Sequence, residues 1–287
     1  MSTPPKRKKS LTILIPVSII EKVPHLREKT GLIGLIGRAA AIFRVDRIII
    51  YPDKPEYVPE HASLIRKILE YLETPPYLRK RLFPLDDDLR YVGILHPLRT
   101  PSHLVDEKHA KKGELREGIV LSSSGNTTFV DVGLKSPIRV RSTMNIPKGL
   151  RVCVKVTSTN PLIGEFIDRS DISCYWGYKV ELSPAPLGSL LKSLNVDLKI
   201  ATSKYGDNIS DVLDDLRNKW KEARSIAIAF GAPDQGVFKI VAREGLNIRD
   251  VVDFVINVIP HQGVETVRTE EAILCTLSVL NAMIGEQ

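Results

Sequence analysis

Five short, turn-broken β segments interrupt a chain that otherwise alternates strand and helix, and this interruption narrows the possible folds more than any other feature. Residues 116–170 hold Gly118–Leu121, Thr127–Val132, Ile138–Arg141, Arg151–Thr157 and Glu165–Asp168, separated by Gly, Pro, Ser and Asn. Short alternating segments of this kind are the pattern of a small β-barrel or sandwich. Before them, Thr12–Val17 reads as a buried strand, Leu26–Phe43 as a helix and Arg47–Tyr51 as a strand stopped by Pro52. Residues 59–73 read as an amphipathic helix ended by Pro75-Pro76. After Tyr175-Trp176-Gly177 the alternation returns, with strands expected at Lys179–Leu182, Ser225–Phe230 and Val251–Val258 and helices at Ile209–Lys221 and Arg268–Met283. Apolar β-branched strands separated by helices indicate an α/β fold, a parallel sheet covered on both faces. The simplest organisation is one α/β domain over residues 1–92 and 174–287, with a β-barrel inserted over 93–173. No internal repeat is visible.

Charge is distributed unevenly. Lys6, Arg7, Lys8 and Lys9 carry four of the net +7, with no acid before Glu21, so the remaining residues total +3. The picture is a basic arm on a nearly neutral body, and such arms favour nucleic acid or acidic surfaces. A second basic stretch lies in the barrel segment. Lys135, Arg139, Arg141, Lys148, Arg151 and Lys155 fall where no acid occurs between Val132 and Gly164. In the strand beginning at Arg151, the valines share one face and Arg151 and Lys155 the other, and Arg139 and Arg141 flank an inward Val140. Basic strands on a barrel follow a phosphate backbone, so Lys135, Arg139, Arg141, Arg151 and Lys155 are candidate RNA contacts; the plainer reading is a solvated outer face. Aromatic stacking residues are scarce there, which speaks against base-specific reading.

Several classes are disfavoured. Three cysteines (Cys153, Cys174, Cys275) are scattered with no CxxC and no histidine pair, so no metal site is expected and a reducing, cytoplasmic setting fits. Basic residues precede the apolar run 11–20 as in a leader peptide, but Pro16 interrupts it and Glu21-Lys22 stands where small residues should. No eighteen consecutive apolar residues occur, so no membrane span is expected. GxGxxG after the first strand, GxxxxGK[ST], GxSxG and HExxH are all missing from the sequence, which weakens the dinucleotide, hydrolase and metalloenzyme readings.

Three other stretches carry the chemistry. Gly31-Leu-Ile-Gly34-Leu-Ile-Gly37-Arg38-Ala-Ala-Ala-Ile-Phe43 sets small residues, which allow close helix–sheet packing, beside a single charge. Ala229-Phe230-Gly231-Ala232-Pro233-Asp234-Gln235-Gly236 leaves a strand through a Gly-Pro-Gly turn. Val258-Ile259-Pro260-His261-Gln262-Gly263 runs on to Arg268-Thr269-Glu270-Glu271-Ala272, a strand, a Pro/Gly loop and a helix start. Glycines at the carboxyl ends of parallel strands let backbone N–H and C=O groups approach a ligand, and an adenine edge can be bound that way.

Together these stretches resemble the motifs of the SPOUT class of RNA methyltransferases. More narrowly, Arg38-Ala-Ala-Ala-Ile-Phe, Tyr175-Trp176-Gly177-Tyr178, Gln262-Gly263 and Arg268-Thr-Glu-Glu-Ala are similar to an archaeal and eukaryotic RNA methyltransferase family with an OB-like insertion, across nearly the whole chain. The resemblance implies a SPOUT-type trefoil-knotted sheet, an OB-like barrel, a homodimer, an RNA substrate (ribosomal or transfer RNA) and S-adenosyl-L-methionine held in the knot. It also implies that Gly231, Ala232, Gly236, Ile259, Pro260, Gly263, Val267, Thr269 and Ala272 line the cofactor pocket. The segment Arg268-Thr269-Glu270 resembles that of bacterial ribosomal uridine-N3 methyltransferases, whereas ribose-methylating relatives usually carry Ser-Leu-Asn there. A uridine base is therefore expected as target, with ribose 2′-O methylation or a non-catalytic RNA-binding assembly factor as alternatives.

Roles follow on the same footing. Arg38 either holds the target nucleotide or ion-pairs its helix to the sheet. Thr269 suits a helix cap or first-turn position. Glu270 and Glu271 favour a helix N-terminus, and one of them, Glu270 by preference, would accept the ring proton that an N–H acceptor must lose. Arg268 either binds phosphate and neutralises a uridine anion or pairs with an acid across a dimer. His261 reads as a solvated loop histidine, and Tyr175–Tyr178 as junction packing.

Overall fold

A computed structural model describes residues 3–56, 58–104, 109–143 and 145–285. Cα proximity divides the chain into two compact units. One comprises residues 7–72, 87–96 and 177–287; the other holds residues 97–176 together with 73–86 and the N-terminal residues through Lys6. In chain order the elements are β1 (Ser10–Pro16), α1 (Leu26–Ile42), β2 (Arg47–Tyr51), α2 (Pro59–Glu73), α3 (Pro76–Leu82), β3 (Leu115–Ser124), β4 (Thr127–Asp131), β5 (Ile138–Arg141), β6 (Arg151–Thr159) and β7 (Leu162–Ile167). They continue with β8 (Lys179–Leu182), α4 (Leu187–Ser193), β9 (Leu198–Asn208), α5 (Ile209–Glu222), β10 (Ser225–Ala229), α6 (Val237–Ala242), β11 (Phe254–Asn257) and α7 (Thr269–Met283).

The larger unit is built on a sheet ordered β11-β9-β10-β1-β2-β8, six-stranded among the described residues, in which every paired neighbour runs parallel. Central β1 buries Leu11 through Pro16 without alternation, as a strand covered on both faces must. Gly37 of α1 sits where an added Cβ would lie 2.7 Å from the Tyr178 hydroxyl, so this glycine allows the helix its close seat. Tyr178 is buried and donates to the Leu69 carbonyl at 3.1 Å.

Four elements escaped the sequence reading. α3, α4 and α6 span only six or seven residues, too few for helical periodicity to register. β9 begins apolar and then turns polar. Its pairing with β11 explains this: Val255 opposes Ala201, but the next residue, Ile256, opposes Asp207. Residues 202–206 therefore bulge out of the ladder, and such bulges re-aim side chains beside functional sites. Gly206 passes so near β11 that a Cβ would sit 2.6 Å from the Val255 carbonyl oxygen.

The basic arm is largely committed inside the fold. Lys9 donates to the Lys221 and Ala223 carbonyls at 2.7 and 2.9 Å, closing the C-terminus of α5, and Arg7 donates to the Phe43 carbonyl after α1 at 3.0 Å. Helix C-termini expose carbonyls and partial negative charge, so they attract these cations.

In the smaller unit β3-β4-β5-β7-β6 form a closed barrel, β5 pairing parallel with β7 and β3 returning antiparallel to β6. A closed five-stranded barrel in that order fits the OB-like expectation. Its core is aliphatic, with Val120, Val130, Ile138, Val140, Val154 and Val156 all buried.

Candidate functional site

The carboxyl ends of β9, β10 and β11 open on a cavity of about 400 Å³ in the larger unit. Four stretches wall it: the β9 bulge (Thr202–Tyr205), the turn Gly231–Gly236 after β10, the loop after β11, and the first turns of α7 through Thr269, Ala272 and Thr276. Ligands of open α/β sheets bind outside the carboxyl ends of strands.

Local contacts fix each wall. Gly231 approaches its own turn so tightly that a Cβ would meet the Gly236 Cα at 3.0 Å and the Val237 nitrogen at 3.1 Å. Ala232 and Gln235 exchange both backbone hydrogen bonds, at 3.0 and 3.2 Å, closing a tight hairpin. Buried Tyr51 donates its hydroxyl to the Phe230 carbonyl at 2.5 Å; burial and then the charge of Asp53 push its pKa well above the phenol range, so it stays a donor. After β11, the Asn257 carboxamide accepts from the Ile259 amide (3.0 Å) and donates to the Lys204 carbonyl (3.3 Å), tying the loop to the bulge.

Thr269 occupies the first turn of α7, while Arg268 is the residue before it. Its hydroxyl does not cap the helix. It reaches across to the Gly231 carbonyl at 2.9 Å and joins the two glycine-bearing stretches. The capping function falls to Glu271, whose carboxylate accepts from the Arg268 amide at 2.8 Å. Glu270 is left over. Its carboxyl is half-buried and its pKa is raised, by desolvation first and by the Glu271 charge second, against its own backbone amide and Arg268.

Of the residues expected to hold a cofactor, Gly231, Ala232, Gly236, Ile259, Val267, Thr269 and Ala272 line the cavity. Pro260 and Gly263 do not, because the loop turns outward there and both are exposed, with open space around Gly263. Arg38, Arg268 and Glu270 are not on the wall either, although α1 packs against α7 and the latter two flank Thr269. Sequence reasoning missed Thr202–Tyr205, Asn257 and Thr276. The polar run Ser203-Lys204-Tyr205-Gly206-Asp207 following Leu198–Ala201 was the available signal.

A second cavity of about 670 Å³ lies at the ends of β2 and β8, among Pro52–Pro55, Leu182–Pro184 and Arg243. Its polar groups are already engaged: Lys54 with Glu21, Arg243 with the Asp53 carbonyl, and Glu244 with the Gly188 and Ser189 amides.

On the barrel, Lys135, Arg139 and Arg141 are exposed, the arginines alternating with buried Ile138 and Val140. Lys155 faces Glu165 across the β6–β7 ladder at 3.7 Å. Arg151 has a different environment. Its guanidinium meets buried Glu117 and, at 2.8 Å, buried Glu73, and Arg169 bonds Glu73 at 2.8 Å. Burial pulls the Arg151 pKa down, but Glu73 and Glu117 together lift it above the usual value. The acids missing from the basic stretch are supplied by α2 and β3, so Arg151 serves the unit's interior instead of its surface.

The described residues hold no helix long and apolar enough to cross a membrane. Comparison with known proteins finds a family model matching residues 10–280. An uncharacterised protein of Halobacterium salinarum is 33% identical over 94% of this chain and 98% of its own length. The 28S rRNA (uridine-N(3))-methyltransferase of Drosophila melanogaster is 31% identical over 97% of this chain and 63% of its own, and the human protein of the same name 29% identical over 96% and 78%. With the match covering nearly the whole chain, the protein belongs to the family described as "Putative RNA methyltransferase".

Proposed function

We propose that the protein uses S-adenosyl-L-methionine to methylate N3 of a uridine in ribosomal RNA. The observation that carries this reading is the meeting of two glycine-bearing stretches, Gly231–Gly236 and the loop after β11, around one cavity of about 400 Å³, joined by Thr269. The lining supports an adenosyl group: small residues of the two bends (Gly231, Ala232, Gly236, Ala272) stand beside polar side chains such as Asn257 and Gln262, with enough volume for a nucleoside and a short chain. The name of the Drosophila and human relatives supports the base and the position.

When bound, the cofactor supplies a methyl group on a sulfonium, which any acceptor lone pair can take. The chain's own residues must then expose a lone pair at N3, an imide nitrogen that carries a proton. Glu270 is suited to accept that proton, since its desolvated carboxylate binds one more readily than a solvated carboxylate does. Arg268 and Arg38 are placed in this reading to offset the negative charge that develops on the base. Arg139, Arg141 and Lys135 contact the RNA backbone, whereas Arg151 is withdrawn from that role. The trefoil knot that the resemblance implies is part of this reading, with the chain between β11 and α7 passing beside the β10 turn at the Thr269–Gly231 contact. The exposed apolar side chains Leu35, Ile42 and Leu274 on the packed helices α1 and α7 support a homodimer.

Calorimetry with S-adenosylhomocysteine tests the cavity, and saturable one-site binding is expected. Nucleoside mass spectrometry of ribosomal RNA from a deletion strain tests the product. Loss of a ribose-methylated species, with 3-methyluridine unchanged, would defeat the assignment to the base.

A further inference from the structure

Asp53, at the carboxyl end of β2, is a carboxylate only 4% exposed that the proposed reaction does not use. A buried carboxylate is costly unless hydrogen bonds replace water. Its oxygens accept from the Ser18 amide (3.0 Å), the Ser18 hydroxyl (2.7 Å) and the Gln235 carboxamide (3.2 Å), and its backbone carbonyl accepts from Gln235 and Arg243 at 3.3 and 3.0 Å. Gln235, itself 5% exposed, is the residue whose backbone closes the hairpin with Ala232, and it lines the cavity; Asp53 does not.

We propose that Asp53 is a positioning residue for the methyl-donor cavity, acting through Gln235 to hold the Gly231–Gly236 turn in its binding shape. The inference rests on the reading of that cavity given above. Two residues, the last of β2 and one just beyond it, do the anchoring. The Tyr51 hydroxyl fixes the entry of the turn at the Phe230 carbonyl, and Asp53 fixes its far side at Gln235. Tyr51 is the last residue of β2 and Asp53 lies two residues beyond it, so one strand end presents both anchors. A Gly-Ala-Pro-Asp-Gln-Gly segment has little apolar side chain with which to order itself, and without these ties cofactor binding would have to supply the ordering entropy. Ser18 provides the contrast, because it uses the same carboxylate but lies outside the turn.

The test is calorimetric titration of the full chain with S-adenosylhomocysteine, with thermal unfolding of each variant recorded alongside. Ser18→Ala should leave the affinity within about twofold, whatever it costs in stability. Gln235→Glu sets a second carboxylate against Asp53 and should weaken binding by about 30-fold. The double variant Asp53→Asn/Gln235→Glu restores a donor–acceptor pair with its polarity reversed and should recover to within about threefold of wild type. A Gln235→Glu affinity equal to wild type, or no recovery in the double variant, overturns the proposal. Should Gln235→Glu fail to fold, Gln235→Met removes the tether at similar volume, and unchanged binding there overturns it equally. Failure of the wild type to bind is a separate result, which removes the cavity reading and this inference with it.

Discussion

Gly231 and Gly263 looked equivalent as glycines in candidate loops, and space separates them. A methyl at 231 must push on the turn's own backbone, whereas at 263 it meets nothing within 4 Å. Gly231→Ala should therefore weaken S-adenosylhomocysteine binding at least tenfold, and Gly263→Ala should change it less than twofold, both by calorimetry. Equal effects would remove Gly231 from the site. Glu270 gives a pH prediction. In the proposed role, its raised pKa moves the growth of the carboxylate form upward from the ordinary value, so kcat/KM should rise with pH along a limb displaced the same way. Glu270→Gln should abolish that limb and lower kcat by roughly 10²–10⁴-fold. Asp197 works in the opposite sense. Hydrogen bonds from the Arg224 and Ser225 amides and the Ser225 hydroxyl hold its pKa down, so its stabilisation is present above the ordinary value and fades as pH falls through the lowered one. Asp197→Asn should shift the denaturation midpoint at neutral pH and converge on wild type in strong acid. What was legible at these positions was the residue type; the partners that give each its job lie 27 to 38 residues away for Asp197 and Thr269.

Among the elements, β9 shows how a strand can carry function while hiding from pattern. Its first half pairs regularly with β10 and its second half bulges, so no single period runs through it. β6 shows the reverse. Its alternation was legible, and its valines do face inward, but Arg151 lies beside two buried acids. Removing one member of a buried ion cluster strands the others. Arg151→Met should cost about 3–5 kcal/mol by chemical denaturation, towards the lower end because Arg169 still reaches Glu73. Adding Glu117→Gln should return part of that loss. If Arg151→Met is as stable as wild type, the cluster carries no weight in folding.

Across the molecule as a whole, the surface keeps Arg139 and Arg141 exposed on β5. Exposed arginines on β5 that neutralise phosphates release counterions, so Arg139→Ala/Arg141→Ala should flatten the log–log salt dependence of RNA binding by about 1–2. An unchanged slope would take the barrel's basic strand out of the interface. Leu35 and Ile42 stand two helical turns apart on α1, 56% and 54% exposed. Under the proposed homodimer, Leu35→Glu/Ile42→Glu should convert a sedimenting dimer to monomer, and a dimer that persists would exclude that face.

The sequence alone determined the two kinds of periodicity, where the barrel segment interrupts the α/β chain, and which stretches supply glycine bends, since burial period and backbone freedom are written locally. Tertiary structure decided the strand order β11-β9-β10-β1-β2-β8, the outward turn of Pro260 and Gly263, and which basic residues remain available. Charge explains that last division. A cation is attracted by whatever the fold brings near it, and Lys9 finds the end of α5, more than 200 residues along the chain, while Arg151 finds Glu73. Such pairings are set by distance in space, to which linear spacing is blind.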